Sequence, residues 1–211
     1  MRPADFDRLH ALRMENDAAG YAMEEMRPRF ERLASRHENG TAPRAVSAFQ
    51  LFQTPPAVAQ MLLERLQLEP GARLLEPSAG LGRLLDAAQP YNAAEVVAVD
   101  VAPTCAGELY RQDRAGVQIL QRDFLTCAPA ELGTFDAVAM NPPFHMRADI
   151  RHILHARQFL KPGGRLAALC LAGFKREAEL RPLCSSWEPL PAGLFGKEGT
   201  AVAVVLLTIK S

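Results

Sequence analysis

Asn141-Pro142-Pro143-Phe144 follows directly on the largely apolar run 135–140, and no other stretch of the chain says as much about chemistry. It describes a rigid polar turn with an aromatic rim at the exit of a buried strand. Such a turn suits a planar conjugated amine. The lone pair of that amine is delocalised, so a catalyst has to accept hydrogen bonds from both N–H groups and draw the nitrogen toward tetrahedral geometry. The side-chain carbonyl of Asn141 and the backbone carbonyl of Pro142 are candidates for the two acceptors. Proline at 142 and 143 fixes φ, removes competing N–H donors and holds the preceding residues extended, so the acceptors are set before a substrate arrives. Phe144 is placed to stack on the planar group. An ordinary strand-to-loop exit uses the same residue types, so the tetrapeptide needs support from elsewhere in the chain.

That support lies upstream. The segment 73–85 reads as a buried strand, a turn of small residues and a helix start. A ligand can lie against Glu76, Pro77, Ser78, Ala79, Gly80 and Gly82, because the glycines let the backbone approach closely and the helix start offers free N–H groups. Position 85 is Leu, so the Gly-x-Gly-x-x-Gly/Ala fingerprint of dinucleotide sites is not met. The next strand, 95–100, ends in Asp100, a carboxylate placed for two ribose hydroxyls. After the strand at 117–121, Asp123 can accept from the exocyclic amine of an adenine, with Phe124 packing on its ring. Strand-end capping is the plainer use of either Asp.

The order of these parts resembles the class I S-adenosylmethionine-dependent methyltransferases, and within them the amino-methylating branch that includes the N6-adenine DNA methyltransferases. The resemblance covers roughly 48–211. Phe52-Gln53-Thr54-Pro55-Pro56 resembles the Thr-Pro element before the first strand, which places Thr54 beside the cofactor. Glu76 through Gly82 matches the cofactor loop, Asp100 the ribose acid, Asp123 and Phe124 the adenine pair, and Asn141 through Phe144 the catalytic turn, with Asn141 also next to the cofactor. Leu160-Lys161-Pro162-Gly163-Gly164 resembles the turn into the fifth strand. The resemblance implies S-adenosylmethionine as cofactor, no metal, and N6-adenine methylation of DNA. The alternatives are an rRNA adenine, a protein glutamine, or a non-catalytic cofactor-binding partner protein. Glutamine-directed enzymes of this kind usually carry Tyr where Phe144 stands.

The elements that must position these residues follow from periodicity. Residues 4–36 carry apolar side chains at near-helical spacing, broken near Pro28, and a linker follows at 37–44. This gives an N-terminal helical extension over 1–47 and a catalytic domain over 48–211. The extension is a candidate surface for a homodimer or a recognition subunit. Thr54-Pro55-Pro56 reads as a helix start with Thr54 as N-cap, leading a helix over 55–66. Strands are predicted near 72–76, 95–100, 117–121, 135–140 and 164–171, and helices near 82–88, 103–113 and 149–160. The apolar tail 200–209 completes a terminal hairpin. The expected fold is a Rossmann-like, doubly wound α/β sheet of seven strands, mostly parallel with an antiparallel last strand, binding ligands at the strands' carboxyl ends.

Composition adds boundaries. Neither a transmembrane-length apolar run nor a signal-type start is visible in the 211 residues, so a cytoplasmic protein without membrane contact is expected. The four cysteines lack Cys-x-x-Cys spacing and read as reduced structural thiols. His152 and His155 lie one helical turn apart and read as solvated or capping residues rather than metal ligands. Lys plus Arg and Asp plus Glu both number 24, yet residues 144–182 hold eight basic against three acidic side chains. This local excess favours a nucleic-acid partner, with Arg147 and Arg151 beside the target pocket, and the resemblance puts DNA ahead of RNA. Sequence-specific DNA methyltransferases usually add a target-recognition region. Only 1–47 and 144–155 are spare here, which points to loose specificity, a partner subunit or recognition of RNA by shape.

Overall fold

Alternating side chains sort the strands onto two hydrophobic layers, and this sorting builds the molecule. Leu74, Val96, Ala98, Ala137, Ala139, Ala167 and Leu169 belong to one core cluster, while Leu75, Val97, Val99, Val138, Met140, Ala168 and Cys170 belong to the other. Strands buried on both faces in this way need helices on both sides. A computed structural model describes residues 52–191, 193–195 and 202–211. The extension expected over 1–47 lies outside them.

The strands are β1 (Arg73–Glu76), β2 (Glu95–Asp100), β3 (Val117–Gln121), β4 (Phe135–Met140), β5 (Leu160–Leu171), β6 (Ser186–Pro189) and β7 (Val204–Lys210). They form one sheet in the order β3-β2-β1-β4-β5-β7-β6. β7 runs antiparallel to both β5 and β6, and the remaining pairs are parallel. This is the Rossmann-like seven-stranded arrangement expected. The helices are α1 (Pro56–Leu66), α2 (Arg83–Ala88), α3 (Pro103–Arg111), α4 (Pro129–Leu132), α5 (Ala148–Ala156) and α6 (Phe174–Leu180). Val58, Leu62 and Leu63 of α1, Leu84 and Leu85 of α2, and Ala106 and Leu109 of α3 cover the first layer. Ile150, Ile153 and Ala156 of α5 and Leu180 of α6 cover the second.

The two ends of the sheet are treated differently. At the amino ends, Arg73 pairs with Glu95 (Nε to Oε2, 2.7 Å) and donates to Thr134 O at 2.7 Å, and Lys161 pairs with Asp136 at 2.8 Å. Gly164 sits where β4 and β5 shift register, and a Cβ there would come within 2.9 Å of Lys161 O and 3.2 Å of Phe135 O. Both are backbone atoms, so only glycine fits. The carboxyl ends lead into loops, and the topology reverses there between β1 and β4.

Several elements differ from expectation. Thr54 is not the N-cap of α1. That position is Pro55, whose carbonyl accepts from Ala59 N at 2.9 Å, with Pro56 opening the helix. β5 begins at Leu160, earlier than expected, and a short 3₁₀ turn at Arg157–Phe159 precedes it. α3 stops at Arg111. α4 and α6 carry no clear periodic signal in the sequence. No helix among the described residues is long and apolar enough to cross a membrane.

Candidate active site

The turn after β1 is folded back onto the end of β2. Ala79 N donates to Val99 O at 3.0 Å and Gly80 N to Asp100 Oδ2 at 2.7 Å, while Ala102 N donates to Asp100 Oδ1 at 2.8 Å. Gly80 (φ +54) and Gly82 (φ +86) take left-handed conformations that close this turn at low cost. Asp100 thus has one backbone donor on each oxygen, and a carboxylate oxygen retains a further acceptor site. Burial raises its pKa above the ordinary value, and the Ala102 and Gly80 N–H groups oppose that rise. The carboxylate is aimed and half-desolvated, as a vicinal diol requires.

Glu76 lies at the end of β1 with 2 % of its surface exposed, and its Oε2 has no hydrogen-bond partner. Burial pushes its pKa well above the usual 4.5; Asp100 and Asp86 add to the rise, while Arg114 and the Leu85 N–H oppose it. A raised folded pKa means that the fold binds this proton more tightly than the unfolded chain does. The associated stability is present in full below the unfolded pKa and is lost as pH rises through the folded one. A cationic ligand would reverse the preference and favour the carboxylate. Glu76→Gln is therefore expected to raise the thermal midpoint of the ligand-free protein relative to wild type above that folded pKa, while weakening binding of a cationic ligand. Calorimetric titration with S-adenosylmethionine over a pH series checks this: wild-type affinity should climb with pH and the Gln variant should stay flat. A variant that binds as tightly as wild type would remove Glu76 from the site.

The tetrapeptide stands opposite. Asn141 Nδ2 donates to Phe52 O and to Thr54 Oγ1, both at 3.0 Å. A carbonyl can only accept, so this pair fixes which way the amide faces. Its Oδ1 is buried and has no hydrogen-bond partner. The Asn141 backbone carbonyl accepts from Ser78 Oγ at 3.2 Å, which ties the turn after β1 to the turn after β4. Thr54, read above as a helix cap, instead spends its hydroxyl on Asn141, and a tertiary partner outcompetes the local one. Phe144 is buried, with its ring centroid 5.9 Å from that of Phe52, and it does not line the cavity. The exposed ring at this rim is Phe52.

A cavity of about 320 Å³ joins these parts and is walled by Thr54, Glu76 to Gly80, Asp100, Asp123, Phe124 and Asn141 to Pro143. Gly82 lies behind the wall at the N-cap of α2. Asp123 caps the turn 124–126, its Oδ1 accepting from Leu125 N at 3.0 Å, and remains exposed with acceptor capacity to spare. Phe124 is buried among His152, His155 and Phe159, with one part on the wall. His152 is buried rather than solvated and also reaches the cavity. Burial is the largest cause holding its pKa below the ordinary value, so the ring is neutral near pH 7. His155 hydrogen-bonds Cys127 O at 3.0 Å.

Sequence reasoning passed over the walls formed by Phe52, Gln53, Arg83, Cys105 and His152. Gln53 Oε1 accepts from Arg83 Nε at 3.0 Å, pinning the segment before α1 across the start of α2. For His152 a signal existed: it shares the spacing of Asp149, Ile153 and Ala156, all buried on one face of α5.

The charge excess over 144–182 is divided. Arg151 lines the cavity, and Arg147 forms a 3.7 Å pair with Glu179 on the surface. Lys161 and Arg165 lie near the amino end of β5, away from the site. Arg176 and Arg181 are paired with Asp149 and Glu177.

A Rossmann-like sheet in this order, with an acidic residue closing β2 and a polar proline turn closing β4 around one cavity, has the architecture of an S-adenosylmethionine-dependent methyltransferase. The chain belongs to the methyltransferase small domain family, whose model matches residues 56–187. It is 34% identical over 145 residues to the ribosomal protein L11 methyltransferase of Symbiobacterium thermophilum, covering 68% of this chain and 46% of that one. It therefore spans about half the length of that relative. Among solved structures, a Pyrococcus horikoshii protein provisionally described as an RNA methyltransferase superposes with a TM-score of 0.62 at 18% identity, covering 77% of this chain and 87% of that one. The modification subunit of a provisionally described type I restriction enzyme from Vibrio vulnificus superposes with a TM-score of 0.60 at 17% identity, covering 89% and 49%. Both structural likenesses speak to the fold. The cofactor is S-adenosylmethionine, and the donor set fits it: a bidentate carboxylate for a diol, an exposed Asp for an adenine amine, and a buried carboxylate oxygen without a partner for a cation.

Proposed function

We propose that this chain methylates the N6 amino group of adenine in nucleic acid, with DNA as the first substrate to test. The observation that carries this reading is Asn141. Its amide is locked by two acceptors on Nδ2, and its buried Oδ1 has no hydrogen-bond partner. A buried carbonyl without a donor costs about 1–3 kcal/mol, and an amino group entering the turn would relieve that cost. Pro142 O, which no described residue hydrogen-bonds, supplies the second acceptor. Asp100, Glu76 and Asp123 hold the cofactor, which contributes an electrophilic methyl group. Asn141 and Pro142 would hold the amine in line with the methyl–sulfur bond of the cofactor; transfer would break that bond, leaving the neutral thioether on the cofactor, and the amine would give up one proton to solvent. The target base reaches the turn by leaving its stack, at a cost of a few kcal/mol that rim contacts offset. Specificity beyond the single base would come from residues 1–47 or from a partner.

The test is transfer of tritiated methyl from the cofactor to duplex DNA, single-stranded DNA, ribosomal RNA and isolated ribosomal proteins, followed by identification of the modified group. N6-methyladenine in DNA or RNA supports the reading, and label only in protein overturns it. The likeness to a ribosomal protein methyltransferase favours a second reading, transfer to a protein nitrogen such as a glutamine amide. A protein that binds the cofactor and transfers to none of these would be a binding partner rather than an enzyme.

Salt dependence separates nucleic acid from protein. Arg151 has no carboxylate partner among the described residues, and the exposed Arg147–Glu179 pair is cheap to exchange for a phosphate. Replacing both with Gln is expected to flatten the slope of log affinity for DNA against log salt by up to about two, and because Arg151 lines the cavity the DNA affinities are compared at saturating cofactor. Lys161→Gln, at the far end of the sheet, should leave the slope as it is. Filter binding over a salt series reads both, and a double variant with the parental slope would remove these arginines from the interface.

A further inference from the structure

One buried charge has no part in the cavity. Asp149, in the first turn of α5, is fully buried, where an unpaired carboxylate would be strongly unfavourable. Its Oδ2 accepts from Leu171 N at the end of β5, at 3.3 Å, and pairs with Nε of Arg176 on α6. The same guanidinium donates from Nη2 to Phe144 O at 3.2 Å. A guanidinium is a planar fork with fixed N–H directions, so anchoring Nε on Asp149 sets where Nη2 points. The last carbonyl of the tetrapeptide is thereby held from the end of β5.

The turn that follows needs such a hold. Met146 (φ 48°, ψ 34°) and Arg147 (φ 58°, ψ 33°) are consecutive non-glycine residues in the left-handed region, a conformation that persists only where the surroundings over-determine it. Arg147 also reaches Glu179 of α6, so α6 grips the turn at both ends.

Resting on the reading of the tetrapeptide as the catalytic turn, we propose that Asp149 and Arg176 are positioning residues for methyl transfer, fixing the Phe144 peptide and with it the aim of the Asn141 and Pro142 acceptors. Neither residue touches the reacting atoms. Arg176→Lys keeps a cation for Asp149 but cannot serve both acceptors as a fork. Asp149→Leu with Arg176→Met replaces the buried pair by apolar groups of similar size and guards against loss of folding through a stranded charge. Hydrogen exchange by mass spectrometry on the free protein is expected to show faster exchange in peptides covering 141–150 in both variants, with β1 and β4 unchanged. On an adenine-containing DNA oligonucleotide, kcat is expected to fall about 10–100-fold, with KM and cofactor affinity little changed. Unchanged exchange in 141–150 overturns the proposal, as does exchange that rises equally in the strands, since the pair would then merely brace the fold. Asn141→Ala serves as the control on the reading itself. If it retains turnover, the catalytic reading of the turn fails while loop exchange still judges the clamp. If it loses turnover and Arg176→Lys does not, the clamp alone fails. If wild type does not methylate the oligonucleotide, loop exchange decides.

Discussion

Asn141→Ala is expected to lower turnover by about 10²–10³-fold, the loss typical of removing one preorganised polar group aimed at a transition state, while cofactor affinity stays close to wild type. The side of the cavity proposed for the cofactor is formed by Asp100 and the turn after β1, and the Asn141 backbone carbonyl that Ser78 holds is untouched by the substitution. Stability should change little, for a reason specific to this site. The substitution loses two hydrogen bonds from Nδ2, each contributing about 1 kcal/mol net, but also deletes a buried carbonyl oxygen without a partner, which costs about 1–3 kcal/mol in the free protein. The two effects largely offset. Single-turnover kinetics together with a thermal melt would check this, and wild-type turnover in the variant would move the chemistry away from this turn. Thr54→Val sharpens the test by removing one of the two acceptors on Nδ2 while leaving Phe52 O in place. It should cost turnover severalfold, well short of the loss from Asn141→Ala, because one anchor still orients the amide.

The strands β1, β2 and β4 were readable because each is short, centred on aliphatic residues and followed by a turn. Val96 to Val99 has no polar member, and its alternation between the two clusters is what a doubly covered strand demands. Misreadings arise where a distant partner outcompetes a local pattern. Thr54 before Pro55 and Pro56 has the local form of a helix cap, yet its hydroxyl is taken by Asn141, which lies 87 residues away. Helix α6 escaped notice because Leu180 is its one buried side chain, which leaves no apolar period to detect. Asp149 is one of the three acidic residues over 144–182, and its pairing with Arg176 on α6 is a contact between segments that this count does not show. Phe144 stood out as an aromatic in a loop, and no local signal shows that the ring of Phe52 covers it. Residues that reach the cavity from the exits of their own strands stood out in the sequence, whereas those held through a contact between distant segments did not.

Asp100→Ala is expected to produce the largest loss of cofactor affinity, because this carboxylate serves two purposes. In the proposed reading it presents both oxygens to a diol, and each oxygen also holds a backbone N–H, Gly80 N at 2.7 Å and Ala102 N at 2.8 Å. Hydrogen bonds to a charged group contribute about 1.5–3 kcal/mol each, so losing two to a ribose alone predicts an affinity loss of roughly 10²–10⁴-fold. The substitution also leaves the Gly80 and Ala102 N–H groups without their acceptor, which loosens the turn over which the cofactor lies and moves the result toward the upper end. Asp100→Asn separates the two contributions. An amide oxygen can still accept from one of the N–H groups, but its NH₂ then faces the other donor, so the turn is half-repaired and the diol keeps a single good acceptor. Its affinity should fall between wild type and Ala. Calorimetric titration with S-adenosylmethionine, run alongside S-adenosylhomocysteine, reads both variants. Since both ligands carry the same ribose, the losses should match between them; a loss confined to the cationic ligand would mean that Asp100 acts on the positive charge and that the ribose lies elsewhere.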